Sequence, residues 1–156
     1  MRDANLILED WYAGEIGGEA LFWGLAERST PEGARKWLAL AQVESRVGTH
    51  LAETLLLRNQ ALPPCDTVPA RAHARCEAVH GKSWADLMRW LKTLAEEALT
   101  EMQVDALHLP AELQSTGDYV LAHERALIDF AKMELDGRSA DSLRPIQSFL
   151  TSPSSR

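Results

Sequence analysis

"WYAGEIGGEALFWG", residues 11–24, sets two glutamates four residues apart among Trp, Tyr, Ile, Leu and Phe. A surface helix carries its carboxylates on one wet face and its apolar residues on the other. Here apolar residues occupy every face, so Glu15 and Glu19 either point toward an interior or sit at the solvated edge of the stripe, where Glu15 can pair with Arg or Lys of a neighbouring helix. Gly14, Gly17 and Gly18 crowd the same stretch, where glycine costs a helix about 1 kcal/mol each. They suit a close helix approach or an opening for a small ligand.

The segment around this stretch, residues 4–28, reads as one long helix. "RSTPEG" stops it and starts a second, 31–58, with Thr30 as N-cap and Pro31 at the first helical position. Pro63, Pro64 and Pro69 exclude a helix over 59–69. A short helical piece, "ARAHARCEAVHG", ends at Gly81. Ser83 caps a third long helix, 84–108, and after Pro110 a fourth runs over 117–135 to Gly137, which suits a left-handed cap. "SADSLRPIQSFL" forms a small C-terminal helix, and 153–156 is a frayed tail. No segment alternates with period two, so no strand is expected. Four long helices predict an all-α, up-down four-helix bundle over 1–152, with a short extra helix in the central connection.

One face of each helix follows a 4-3-4-3 ladder. In the first it reads Leu8, Tyr12, Glu15, Glu19, Phe22, Ala26, and in the third Trp90, Leu94, Glu97, Glu101, Val104, His108. The two hairpins thus look like rough copies of each other. The second helix carries Trp37, Ala41, Glu44, Gly48, Leu51, Leu55, and the fourth Val120, Glu124, Leu127, Ala131, with His123 beside Glu124. The first two helices turn near residue 30, so residues equidistant from that turn lie level, and this pairs Glu15 with Glu44. The same reasoning sets Glu97 or Glu101 level with Glu124. Buried carboxylates are costly, several together repel, and a bound cation relieves both penalties. The candidate ligands are Glu15, Glu19, Glu44, Glu97, Glu101 and Glu124.

The mid-helix acids of "GEIGGEALFWGLAE", the internal pseudo-repeat, and "LAHERALIDFAKMELDG" followed by "SLRPIQSFL" resemble the ferritin-like superfamily. That superfamily includes rubrerythrins, other di-iron carboxylate proteins and small bacterial members of unassigned function. The resemblance implies a ferritin-like bundle, iron or manganese as cofactor, and an oxidoreductase or oxygen-activating role. Its dimetal members carry Glu-x-x-His on the second and fourth helices. Here Glu44 is followed three later by Val47, and Glu124 by Leu127. The alternative is a bundle that has kept the fold, lost the metal, and serves as a binding or scaffold protein.

Cys65, His73, Cys76 and His80 form a second set of donors, the last three on an i, i+3, i+7 ladder. Zinc accepts two thiolates and two imidazoles. The competing interpretation is a helix with surface histidines and a buried free cysteine.

Composition narrows the partners. With 46% hydrophobic and 25% charged residues the chain is expected to fold. A net charge of -7 disfavours nucleic acid. No apolar run reaches membrane-spanning length, "MRDANLILED" lacks the shape of a signal peptide, and two cysteines are too few for a disulfide framework, so a cytoplasmic protein is expected. The five tryptophans are read as core or interface anchors, and the first helix, apolar on more than one side, offers a homodimer face. No phosphate loop, dinucleotide fingerprint or nucleophile with a base partner is present, and no particular substrate is indicated.

Overall fold

The computed structural model describes residues 2–153; of the expected tail, 154–156 lie outside the described residues. The described residues form six α-helices and one short 3-10 turn, with no strand. The chain divides between His80 and Gly81 into two compact units.

The first unit holds α1 (Ala4–Glu27), α2 (Pro31–Leu57) and α3 (Val68–Ala78). Asp3 caps α1 by accepting from the amides of Asn5 and Leu6, and Thr30 caps α2 by accepting from Gly33. Each supplies an oxygen to amides that have no partner within the helix. α2 ends at Arg58, and Asn59 takes the left-handed conformation at φ 58°, which asparagine tolerates. The helices α1 and α2 run antiparallel, and four contacts fix their register. Arg58 donates to the Asn5 side chain at 2.8 Å; Gly48 faces Glu15; Gly18 faces Glu44; Phe22 stacks on Trp37 with ring centres 5.7 Å apart. The predicted face of α2 is buried along its whole length, from Trp37 to Leu55.

The connection after α2 departs from expectation at Pro69. Pro63 and Pro64 lie in non-helical chain, but Pro69 occupies the first turn of α3, where its missing N–H has no helical partner to lose. α3 lies on α1. Cys76 turns its thiol to the Leu21 carbonyl at 3.7 Å and fills the space a side chain at Gly24 would need. Arg28 reaches across to Glu77 at 3.0 Å and to Nδ1 of His73 at 3.2 Å.

The second unit holds α4 (Trp84–Ala106), the 3-10 turn Ala111–Leu113, α5 (Gln114–Leu135) and α6 (Arg144–Thr151). Ser83 caps α4 through the Asp86 amide, and Gly137 takes the left-handed conformation after α5 at φ 77°. α5 begins at Gln114, three residues earlier than its pattern suggested, because the 3-10 turn feeds directly into it. It is buried on nearly all sides. α6 covers part of it, with Phe149 stacked on Tyr119 at 5.0 Å.

The inward face of α4 is not the predicted one. Met88, Leu91 and Ala95 are buried, whereas Glu97, Glu101 and Val104 are exposed. The expected ladder started from Trp90 and followed the acids. The denser apolar ladder runs through 88, 91 and 95 and wins, because burial follows apolar area rather than charge spacing. Of the tryptophans, Trp11 and Trp37 are buried, Trp84 and Trp90 half-buried, and Trp23 exposed.

No helix among the described residues is long and apolar enough to cross a membrane.

Candidate metal centre

Glu15 and Glu44 are the most deeply buried acids of the first unit, 1% and 5% exposed. A carboxylate oxygen of one lies within 4.8 Å of a carboxylate oxygen of the other. Sequence periodicity places both on the inner faces of their helices, and the turn near residue 30 places them level. The helices can approach here because each acid faces a glycine of the opposite helix. A β-carbon added at Gly18 would stand 2.6 Å from Oε2 of Glu44, and one added at Gly48 would stand 3.5 Å from the Glu15 β-carbon. At Gly18 the space of the missing side chain is thus taken up by Glu44, whereas at Gly48 a β-carbon would make an ordinary contact with Glu15.

Glu19, the other acid of the opening stretch, is only half-buried, one turn further along α1. Tyr12, one turn before Glu15, has its phenol pKa raised, first by burial and then by the neighbouring Cys65. Lys36, 2% exposed, is a buried cation of α2; its ammonium lies 3.9 Å from Glu32.

In the second unit Glu124 is buried and His123 is fully buried beside it. The His123 Nε2 lies 3.4 Å from Oε1 of Glu124, and its Nδ1 faces the Val120 carbonyl at hydrogen-bond distance. Nδ1–H can donate to that carbonyl, and Nε2 is the atom turned toward the carboxylate. A carbonyl bonded to one ring nitrogen fixes the orientation of the imidazole. Phe149 packs near the ring, with centres 6.3 Å apart. Sequence reasoning did not count His123 among the ligands. It looked for histidine three residues after Glu124, and neighbouring residues on a helix point about 100° apart. On a helix whose exposed residues are confined to one narrow stripe, through Asp118, Ala122, Arg125, Asp129 and Lys132, both face inward, and that single, mostly polar stripe was the signal.

The positions where the dimetal pattern has histidine hold Val47 and Leu127, both buried. Glu97 and Glu101 lie at the wet face of α4.

The second donor set is divided by the surface of α3. Cys76 is buried against α1, His73 is exposed and bonded to Arg28, His80 is exposed beyond the helix, and Cys65 is half-exposed in the preceding loop. These four are not among the donors that gather within reach of one ion.

No family model matches the chain, and neither a curated protein nor a solved structure matches it.

Proposed function

We propose that this protein is a metal-binding helical bundle of the ferritin-like kind, with iron or manganese as the cation and an oxidoreductase or oxygen-activating role. The Glu15–Glu44 pair carries the proposal. Two carboxylates this deeply buried, with oxygens within 4.8 Å of each other, ionise together only at high cost. A divalent cation relieves both desolvation and repulsion. Within the second unit, Glu124 and His123 form a buried carboxylate–imidazole pair of their own. Carboxylates with an imidazole suit iron, manganese or zinc. Bound iron or manganese would supply redox chemistry with oxygen. The chain's own side chains would hold the cation, keep water away and fix the ligand atoms.

A second interpretation is favoured by Val47 and Leu127, apolar and buried at the positions of the family's histidines, and by the exposure of Glu97 and Glu101. It is a bundle without a dimetal centre that serves as a binding or scaffold protein.

Metal analysis of protein purified without chelator, followed by titration with Fe(II) or Mn(II), separates the two. Two ions per chain match a dimetal bundle, and fewer match the reduced donor set. Glu44→Ala and Glu124→Ala each weaken binding if the proposal holds. Tight binding that survives both substitutions moves the metal elsewhere, with Cys65, His73, Cys76 and His80 examined next. No binding at all leaves the scaffold role.

A further inference from the structure

We infer that Gly18 is a positioning residue: the missing side chain at this point of α1 sets where the Glu44 carboxylate lies, and so tunes the Glu15–Glu44 pair for a cation. The statement about the cation rests on the metal proposal above; the statement about the seat of Glu44 does not.

Glycine weakens a helix interior, so three glycines between residues 14 and 18 call for a reason. At Gly14 and Gly17 a β-carbon would meet nothing within 4 Å, and packing gives none. At Gly18 it would stand 2.6 Å from Oε2, 2.8 Å from Cδ and 3.3 Å from Cγ of Glu44. The first two distances are closer than non-bonded atoms approach. The obstructed atoms are the end of a flexible side chain, so a methyl group there turns the carboxylate aside rather than forcing the helices apart.

Gly48 differs. A β-carbon there would meet the Glu15 β-carbon at 3.5 Å, an ordinary van der Waals contact at the base of the side chain. Of the two facing glycines, Gly18 therefore acts on the ligating end of its glutamate and Gly48 does not. A Glu44 carboxylate turned away from its seat no longer shares a cation with Glu15 in the same geometry.

Two experiments on the full chain test this. In chelator-treated protein, thermal melts of wild type, Gly18→Ala, Glu44→Ala and the double variant form a cycle. Alanine at 18 should raise Tm more in the Glu44→Ala background than beside Glu44, because the methyl group then no longer meets the carboxylate. Glu44→Asp replaces Glu44→Ala if the latter does not melt cooperatively. Equal shifts in both backgrounds overturn the seat. The second experiment is calorimetric titration with Co(II) alone. Gly18→Ala should bind about tenfold to a hundredfold more weakly than wild type. Gly18→Ala/Glu44→Asp, one methylene shorter, should recover part of the loss, and Gly14→Ala should show none. Undiminished Co(II) affinity in Gly18→Ala overturns the positioning role. A coupled melting cycle in a wild-type protein that takes up no Co(II) overturns the metal proposal and leaves Gly18 as the seat of a structural carboxylate.

Discussion

Glu134 near the end of α5 accepts the indole N–H of Trp84 at the start of α4, at 2.7 Å. The same carboxylate accepts the Ser142 hydroxyl at 2.6 Å and the Ser139 hydroxyl at 3.2 Å. One side chain thus fastens α4 and α5 to each other and to the segment leading into α6. Hydrogen bonds to a charged acceptor contribute about 1.5–3 kcal/mol, more than neutral ones. Glu134→Ala should therefore lower the unfolding free energy by about 2–3 kcal/mol in urea melts, and Trp84→Phe by about 1 kcal/mol. A loss below about 0.5 kcal/mol for Glu134→Ala would show that the network does not hold the unit together.

The two cysteines should differ sharply in reactivity. Burial pushes the Cys76 thiol pKa up, Arg28 offsets this in part, and Glu77 and Glu27 raise it further. The thiolate is the nucleophile, so Cys76 stays inert at neutral pH. Cys65 is half-exposed. A disulfide reagent should therefore titrate one thiol quickly in native protein and both in denaturant, and Cys65→Ser should abolish the fast phase. Rapid labelling of the Cys65→Ser protein would mean that α3 does not stay packed on α1.

His50 gives the stability a pH dependence of definite sign. Burial holds its imidazole below the ordinary histidine range, with Glu53 opposing. The folded state therefore favours the neutral ring. As pH falls from the ordinary histidine value through the lower folded one, the unfolded chain takes up the proton first, and stability is lost. Between about pH 7.5 and about pH 5, Tm should drop more steeply for wild type than for His50→Gln. Parallel curves would remove His50 as the cause.

The first hairpin was legible in the sequence because two independent signals agree there. Apolar periodicity selects the inner face of α2, and the Thr30–Pro31 start signal fixes the turn, which levels Glu44 with Glu15 on an α1 that is apolar on more than one side. α4 was not legible in this way. Its apolar residues cover a broad arc, and choosing the ladder that carries Glu97 and Glu101 meant choosing a face by its charges. His123 was missed for a related physical reason. A helix exposed only along one narrow stripe, here through Asp118, Ala122, Arg125, Asp129 and Lys132, buries both neighbours, so a spacing rule that picks Glu124 passes over His123. Pro69 shows the limit of breaker residues, since the same ring that ends a helix also suits its first turn. The Glu134 network has no periodicity at all. It joins residues up to fifty positions apart, and only the folded chain brings them together.

Replacing Glu44 by Gln distinguishes what the buried pair does. The substitution keeps the shape against Gly18 and removes one charge. If Glu15 and Glu44 face each other without a cation, losing one charge relieves repulsion, and metal-free protein should gain about 1 kcal/mol. If a cation joins them, the same change removes a ligand. Fe(II)-loaded protein then loses stability, because stabilisation by a ligand scales with the logarithm of its concentration over Kd. Thermal melts of wild type and Glu44→Gln, with and without Fe(II) under anaerobic conditions, read both effects. Opposite signs in the two conditions support the metal proposal. A gain in both conditions fits a carboxylate pair that binds no iron. A response within about 0.5 kcal/mol in both would place Glu44 at the solvent, against its 5% exposure, and would remove the physical basis for a cation at this pair.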